Sequence, residues 1–259
     1  MSNPPINHPV GHGDPRAMLR VVKPTAEAAL IDLGRTDIHC GLFEVPYAEA
    51  MAVLPPSLHP STPAYASLTF YRVYDSPVGA FELAVTGIAC RNTIKPRMLT
   101  LSAFASTEAA AQLCRDQWGY PCQVADVRAR QPYHGAISEV LLDGKCIVRM
   151  RTENAEFLLG TARAVRYPQA INLAEVNGTT GLLQVDMVYN YDQSYRGRLV
   201  IETFDAQAMT GGRIHPTDLI AATVVSADLQ VKPRRVLLGL DEVGAFTKIA
   251  APTSEAVAA

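Results

Sequence analysis

The sequence has little of what several specialised classes of protein are built from. Its five cysteines, Cys40, Cys90, Cys114, Cys122 and Cys146, are odd in number and nowhere spaced as a CxxC pair. Neither a disulfide framework nor a zinc site is supported, and reduced thiols are expected. No apolar run approaches the length of a membrane span. The N-terminal stretch 1–16, rich in Pro, Gly, Asn and His, lacks the apolar region of a secretory signal, so a cytoplasmic location is expected. An excess of one charge is missing too. Lys and Arg total 23 against 25 Asp and Glu, which offers no electrostatic footprint for nucleic acid or an anionic membrane. Internal repeats are absent, and so is the alternation of strand and helix that builds a doubly wound parallel sheet.

What is present is enough for a sizeable core. The chain has 259 residues, of which 48% are hydrophobic. Residues 1–24 read as a flexible arm, its His8 and His12 as solvated side chains rather than metal ligands. Residues 25–245 read as one domain. The Ala-rich tail, 246–259, is expected to be disordered. A strand is expected over 37–44, then a helix opened by Pro46 and stopped before Pro55-Pro56. Strands follow over 66–74 and 80–91, joined by the turn Asp75-Ser76-Pro77-Val78-Gly79, and over 99–104. Ser106 or Thr107 caps a second helix, with Glu108 in its positive first turn. Beyond it, strands are expected over 124–130 and 137–142, and Asp143-Gly144 turns the chain back in a hairpin. Asn177-Gly178 reads as a turn, and further strands are expected over 182–189, 198–203, 220–230 and 236–239.

The stretch between the second helix and the next strand holds the functional signal. Within Arg115-Asp116-Gln117-Trp118-Gly119-Tyr120-Pro121-Cys122-Gln123, Gly119 accepts a positive φ, and Pro121 forces Tyr120 toward an extended backbone. The helix has to end there, and Cys122 and Gln123 open a new extended segment.

These residues resemble the acetoacetate decarboxylase family. There, a helix bearing Gly-Arg-Glu leads into a Tyr-Pro or Phe-Pro turn and two adjacent lysines, the first of which forms a Schiff base with the substrate. Arg115-Asp116 match the Arg-Glu pair and Tyr120-Pro121 match the turn, but Cys122 and Gln123 stand where the lysines belong. Leu54-Pro55-Pro56-Ser57-Leu58 and Phe204-Asp205-Ala206-Gln207-Ala208-Met209 also resemble family segments, and the likeness extends over about 31–240. The resemblance implies an α+β fold, mostly antiparallel β, a curled sheet or β-barrel with a few peripheral helices. It also implies a homo-oligomer, and a small carbonyl or oxo-acid compound as the substrate. Relatives include dehydratases, aldolase-like enzymes and cyclases as well as decarboxylases.

Without the lysine no imine forms at position 122. The expected activity is of lyase, dehydratase or cyclase type, relying on hydrogen bonds and acid–base groups in an apolar cavity, with no metal and no cofactor. The alternatives are a non-catalytic barrel that binds a small ligand and thiol-dependent acyl transfer through Cys122. The candidate catalytic residues are Cys122, Gln123 and Glu82. Cys122 is either a nucleophile or a small buried hydrophobe. Gln123 suits recognition of a carbonyl or enolate oxygen. The family carboxylate falls on Leu83, so Glu82, one position early, reaches the cavity only if a bulge corrects the register; otherwise Leu83 lines the pocket. The candidate substrate-binding residues are Tyr120, Trp118, Leu83, Arg72, Arg91 and His134. Arg72 and Arg91 are candidates to anchor a carboxylate, and His134 is the nearest base to Cys122 in the chain.

Overall fold

A computed structural model describes residues 9–14, 20–92, 95–131, 135–176 and 178–239. His134 and the tail 246–259 lie outside the described residues. In chain order the strands are β1 (Ile31–Glu44), β2 (His59–Pro60), β3 (Tyr65–Val73), β4 (Phe81–Asn92), β5 (Lys95–Ala105), β6 (Cys122–Val124), β7 (Asp126–Arg130), β8 (Ala136–Leu142), β9 (Lys145–Phe157), β10 (Gln169–Val176), β11 (Thr179–Val185), β12 (Met187–Phe204), β13 (Leu219–Val231) and β14 (Arg235–Gly239). The helices are α1 (Tyr47–Val53), α2 (Glu108–Trp118) and α3 (Ala206–Thr210), with a 3-10 turn at Gly160–Arg163.

The strands form one sheet ordered β14-β11-β10-β5-β4-β3-β1-β13-β12-β9-β8-β7, with β2 beside β4 and β6 beside β5. Pairing is antiparallel except at β10/β5 and β5/β6. The expected curled sheet or β-barrel is therefore corrected: the ladder is open. A barrel requires the first and last strands to pair, whereas among the described residues β14 pairs only with β11 and β7 only with β8. The free edge at β7 is short and carries Asp126, Arg128 and Arg130, charges that discourage further pairing. The mixed α+β class with a mostly antiparallel sheet stands.

Two apolar clusters occupy the two faces of the central strands. On one face Leu68, Phe70 and Ala84 pack with Val127, Val140, Met150 and Leu199 from the β12-β9-β8-β7 side of the sheet. His39 on β1 reaches across the same layer, 2.8 Å from Ser138 Oγ and 2.8 Å from Thr152 Oγ1. On the other face Ile38, Tyr71, Leu83 and Val225 pack with Ala110, Ala111, Cys114 and Trp118 of α2. Period-two alternation divides neighbours between these layers. Tyr71 pairs with Ile38 and Leu83 on the α2 face, while Arg72 pairs with Asp37 and Glu82 on the other.

The parts of the N-terminal arm that are described lie against the domain. The Gly11 and Gly13 N–H groups donate to the carbonyls of Leu58 and Leu54, both at 2.9 Å, and Val22 bridges to Ala174. Among the described residues no helix is long and apolar enough to cross a membrane.

Candidate functional site

The key turn is built by local chemistry. Thr107 Oγ1 accepts from the Ala110 N–H at 3.2 Å and starts α2. Gly119 stops it in the left-handed region at φ 68°, its N–H donating to the Arg115 carbonyl at 3.1 Å, and the Tyr120 N–H donates to the Cys114 carbonyl at 3.1 Å. A Cβ at position 119 would also stand 3.2 Å from Leu183 and 3.3 Å from Ala174. Gly119→Ala is therefore expected to lose about 1–2 kcal/mol of stability in urea titration, the cost of a left-handed residue with a side chain. An unchanged midpoint would show that the turn is not held in this conformation.

Arg115 ties the turn together. Its guanidinium donates to the Cys122 carbonyl at 3.0 Å and pairs with Glu108 and Gln112. Beyond the turn, β6 runs parallel to β5, with Cys122 beside Ala103. Cys122 is fully buried against Cys114, whose thiol burial and the hydrogen bond to Cys122 push well up. Gln123 is exposed.

A cavity of about 180 Å³ opens on the α2 face of the sheet. Its walls are Cys40, Ser67, Thr69, Tyr71, Val85, Met98 and Thr100 on the central strands, Tyr120 from the key turn, the segment 165–170, and Val185, Met187, Tyr189 and Thr223. The Tyr167 hydroxyl lies 3.1 Å from Thr223 Oγ1, and Thr69 Oγ1 donates to Cys40 Sγ at 3.3 Å. The Tyr189 hydroxyl donates to Met187 Sδ at 3.3 Å. The Tyr167 and Tyr189 rings are 5.4 Å apart, and Tyr189 stacks on Tyr191 at 5.6 Å. Burial, first, and the proximity of buried thiols and other tyrosines push the Tyr71, Tyr120, Tyr167 and Tyr189 phenols above their ordinary range. All four are neutral donors at physiological pH. Burial likewise raises the Cys40 thiol to about 11. Among the described residues the one charged side chain in the wall is Arg166, which is exposed.

On one rung of the sheet Ser67 pairs with Gly87 and Gly87 with Thr100. A Cβ on Gly87 would lie 2.4 Å from Met98 Cγ, so the Met98 thioether covers the glycine between the two hydroxyls. Thr100 Oγ1 has no hydrogen-bond partner among the described residues.

The structure brings only one of the sequence-derived candidates into the cavity wall, Tyr120. Trp118 packs edge-on against it at 6.1 Å, and both are buried. Cys122 and Leu83 lie in the same apolar cluster but do not line the cavity. No bulge interrupts the β3/β4 ladder from Ala66↔Ile88 to Val73↔Phe81, so Glu82 stays on the opposite face, its carboxylate 3.9 Å from Arg72 Nε. The Arg72 guanidinium also covers the Tyr74 ring at 5.1 Å. Arg91 is exposed beside His59 of β2. The described lysines, Lys23, Lys95, Lys145 and Lys232, are exposed and away from the cavity, and Lys248 lies outside the described residues. The residues missed in the sequence, Ser67, Thr69, Tyr71, Met187 and Tyr189, carry a signal of their own. Ser-x-Thr-x-Tyr and Met-x-Tyr are period-two patterns that place each set on one strand face.

The fold is thus a mostly antiparallel sheet with a tyrosine-walled cavity on the face that α2 packs against. The chain belongs to the acetoacetate decarboxylase family, whose model matches residues 21–238. Comparison with curated proteins finds no match. Among solved structures, an acetoacetate decarboxylase is similar at 10% identity and a TM-score of 0.71, over 86% of this chain and 92% of that one. The acetoacetate decarboxylase of Legionella pneumophila is similar at 14% identity and 0.68, over 92% and 99%. The enduracididine biosynthesis enzyme MppR, complexed with the condensation product of pyruvate and imidazole 4-carboxaldehyde, is similar at 15% identity and 0.65, over 90% and 98%. At these identities the likeness to solved structures is one of fold.

Proposed function

We propose that this protein is a lyase, dehydratase or cyclase acting on a small carbonyl or oxo-acid compound in the tyrosine-walled cavity, without a Schiff base. The observation that carries this reading is the make-up of the wall: neutral hydroxyls and, among the described residues, no lysine and no carboxylate. Such a site cannot form an imine. It can polarise a carbonyl by hydrogen bonding and hold the enolate that develops when the adjacent proton leaves. A donor aimed at a developing oxyanion is worth on the order of 10²–10³ in rate. Tyr120 is the donor assigned here, and Arg166 is placed to receive a carboxylate. Water or the substrate's own carboxylate takes the α-proton, because phenols with raised pKa values are poor bases at neutral pH. In this reading Cys122, Gln123 and Glu82 take no part in the chemistry, and Cys122 is a small packed hydrophobe behind the wall. The similarity to MppR, described in complex with a pyruvate condensation product, favours the same class of compound.

The test has two parts. Incubation with pyruvate and borohydride is expected to leave the protein mass unchanged. Proton NMR in D₂O is expected to show the methyl protons of pyruvate exchanging faster with protein than in buffer, and Tyr120→Phe is expected to lose about 10²-fold of that acceleration. A reduced adduct on the protein would overturn the imine-free reading. The absence of a base in the wall favours one second reading, a non-catalytic ligand-binding protein. Binding without any proton exchange would establish that one instead.

A further inference from the structure

The proposed function makes the cavity the ligand site, and on that reading its floor narrows the class of compound. Strand alternation puts Tyr65, Ser67, Thr69 and Tyr71 of β3 on one face, and all four line the wall. Six steps along a strand cover about 20 Å, so these hydroxyls form a long row. The segment 165–170 passes over it. Ala170 pairs with Met98 of β5, and the Tyr167 hydroxyl meets Thr223 of β13 at 3.1 Å. Between those two strands lie β4, β3 and β1.

Thr69 is committed inside the protein, donating to Cys40 Sγ at 3.3 Å. Ser67 and Tyr65 are not: neither hydroxyl has a hydrogen-bond partner among the described residues. Ser67 is 6% exposed, and its Oγ keeps surface on the cavity, unlike Thr100 Oγ1, which is sealed behind the wall. Tyr65 is half-buried and stands one repeat further along the strand, about 7 Å away. The side chains around this pair, Leu42, Val85 and Met98, are apolar. A few polar groups in an apolar pocket fix the orientation of a ligand and select for it. Donors spaced along a strand, with Tyr120 reaching in from the key turn, suit oxygens spaced along a chain.

Length points the same way. The cavity volume, about 180 Å³, exceeds the roughly 150 Å³ at which a dry apolar cavity in another protein admits benzene. Pyruvate with its carboxylate on the exposed Arg166 would put only a carbonyl and a methyl group into that space. Its carbonyl oxygen would also stay beside the carboxylate, away from the buried Ser67.

We infer that the ligand is a dioxo acid with a chain longer than that of pyruvate, extended along β3 beneath the segment 165–170 and accepting a hydrogen bond from Ser67 within the chain. Ser67 is the residue that tells such a chain from a plain fatty acid of the same length.

Titration calorimetry of the full chain with 4,6-dioxoheptanoate, heptanoate and pyruvate tests this. The dioxo acid is expected to bind about tenfold tighter than heptanoate, the worth of one or two hydrogen bonds, and tighter than pyruvate. Ser67→Ala removes a single oxygen. It is expected to bring the dioxo acid and heptanoate within about threefold of each other while leaving heptanoate binding within about twofold of the wild type. An unchanged ratio in Ser67→Ala, with the folded state verified by its thermal transition, overturns the role of Ser67. Equal binding of the dioxo acid and heptanoate by the wild type overturns the reading of chain oxygens. Pyruvate binding as tightly as the dioxo acid overturns the longer chain and leaves the proposed function standing. If none of the three binds, the cavity is not the ligand site and both readings fail.

Discussion

Trp118→Ala is expected to lose about 3–5 kcal/mol of folding stability, the usual cost of truncating a large aromatic side chain in a packed core. Trp118 ends α2 at 1% exposure. It joins three things that have to stay in register: the helix, whose alanines and Cys114 face the sheet; the Tyr120 ring, held edge-on at 6.1 Å; and β10, whose Asn172 Nδ2 donates to the Trp118 carbonyl at 2.8 Å. Removing the indole leaves a void under the turn that positions Tyr120, so ligand binding is expected to weaken along with stability. The indole N–H adds a refinement. It is buried with no partner among the described residues, and an unmet donor of that kind costs about 1–3 kcal/mol. Trp118→Phe discards the orphan donor together with part of the ring, and is expected to lose less than half of what Trp118→Ala loses. Chemical denaturation followed by circular dichroism reads both variants, since the chain has a single tryptophan and its fluorescence disappears with it. A loss below about 1 kcal/mol for Trp118→Ala would mean the indole is not packed as described.

The turn that Trp118 supports was legible in the sequence because its cause is local. Gly119 and Pro121 dictate their own backbone, and Thr107 and Asp143-Gly144 act through neighbours a few residues away. The class of fold was legible for the same reason, strand by strand. Closure was not. Whether β14 meets β7 depends on elements more than a hundred residues apart, and no residue in either strand encodes the other's place. The start of β1 was hidden as well. The expected strand began at Asp37, but the pairing with β13 reaches back to Ile31 past a shift in register between Asp32 and Gly34. The strand β10 went unrecognised, and its parallel contact with β5 is only three residue pairs long. The site suffered from a related limit. The resemblance pointed to Cys122, and strand alternation does put Cys122 on the α2 face. But the void on that face is bounded by Tyr167, Tyr189 and Thr223, which reach it from β12, β13 and the segment before β10. Alternation identifies which side chains share a face; it does not say which of them border empty space.

Acid is expected to weaken the fold through a residue on the opposite face. His39 is 2% exposed, with its ring nitrogens 2.8 Å from Ser138 Oγ and from Thr152 Oγ1. A neutral imidazole offers one donor and one acceptor, and the two hydroxyls can rotate to satisfy either tautomer. An imidazolium would need two acceptors and would bury a charge, and burial lowers the pKa from 6.5 to about 3. The folded value lies below the unfolded one, so between them only the unfolded chain takes up the proton. The stabilisation is therefore complete above about pH 6.5, declines as pH falls, and levels off below about pH 3. At about pH 4.5 the loss from this one group is on the order of 3 kcal/mol relative to neutral pH. Asp37, Arg72 and Arg130 border the small void beside the ring, and a wild-type curve sums the whole chain, so it alone is not diagnostic. His39→Gln isolates the contribution, because an amide still provides a donor and an acceptor but does not titrate. Its stability at neutral pH is expected to be lower than that of the wild type, and the gap is expected to shrink steadily between about pH 6.5 and pH 4.5 in urea titrations. A gap that stays constant over that interval would mean that His39 carries the same charge folded and unfolded, and that the bridge from β1 to β8 and β9 is not made by a neutral ring.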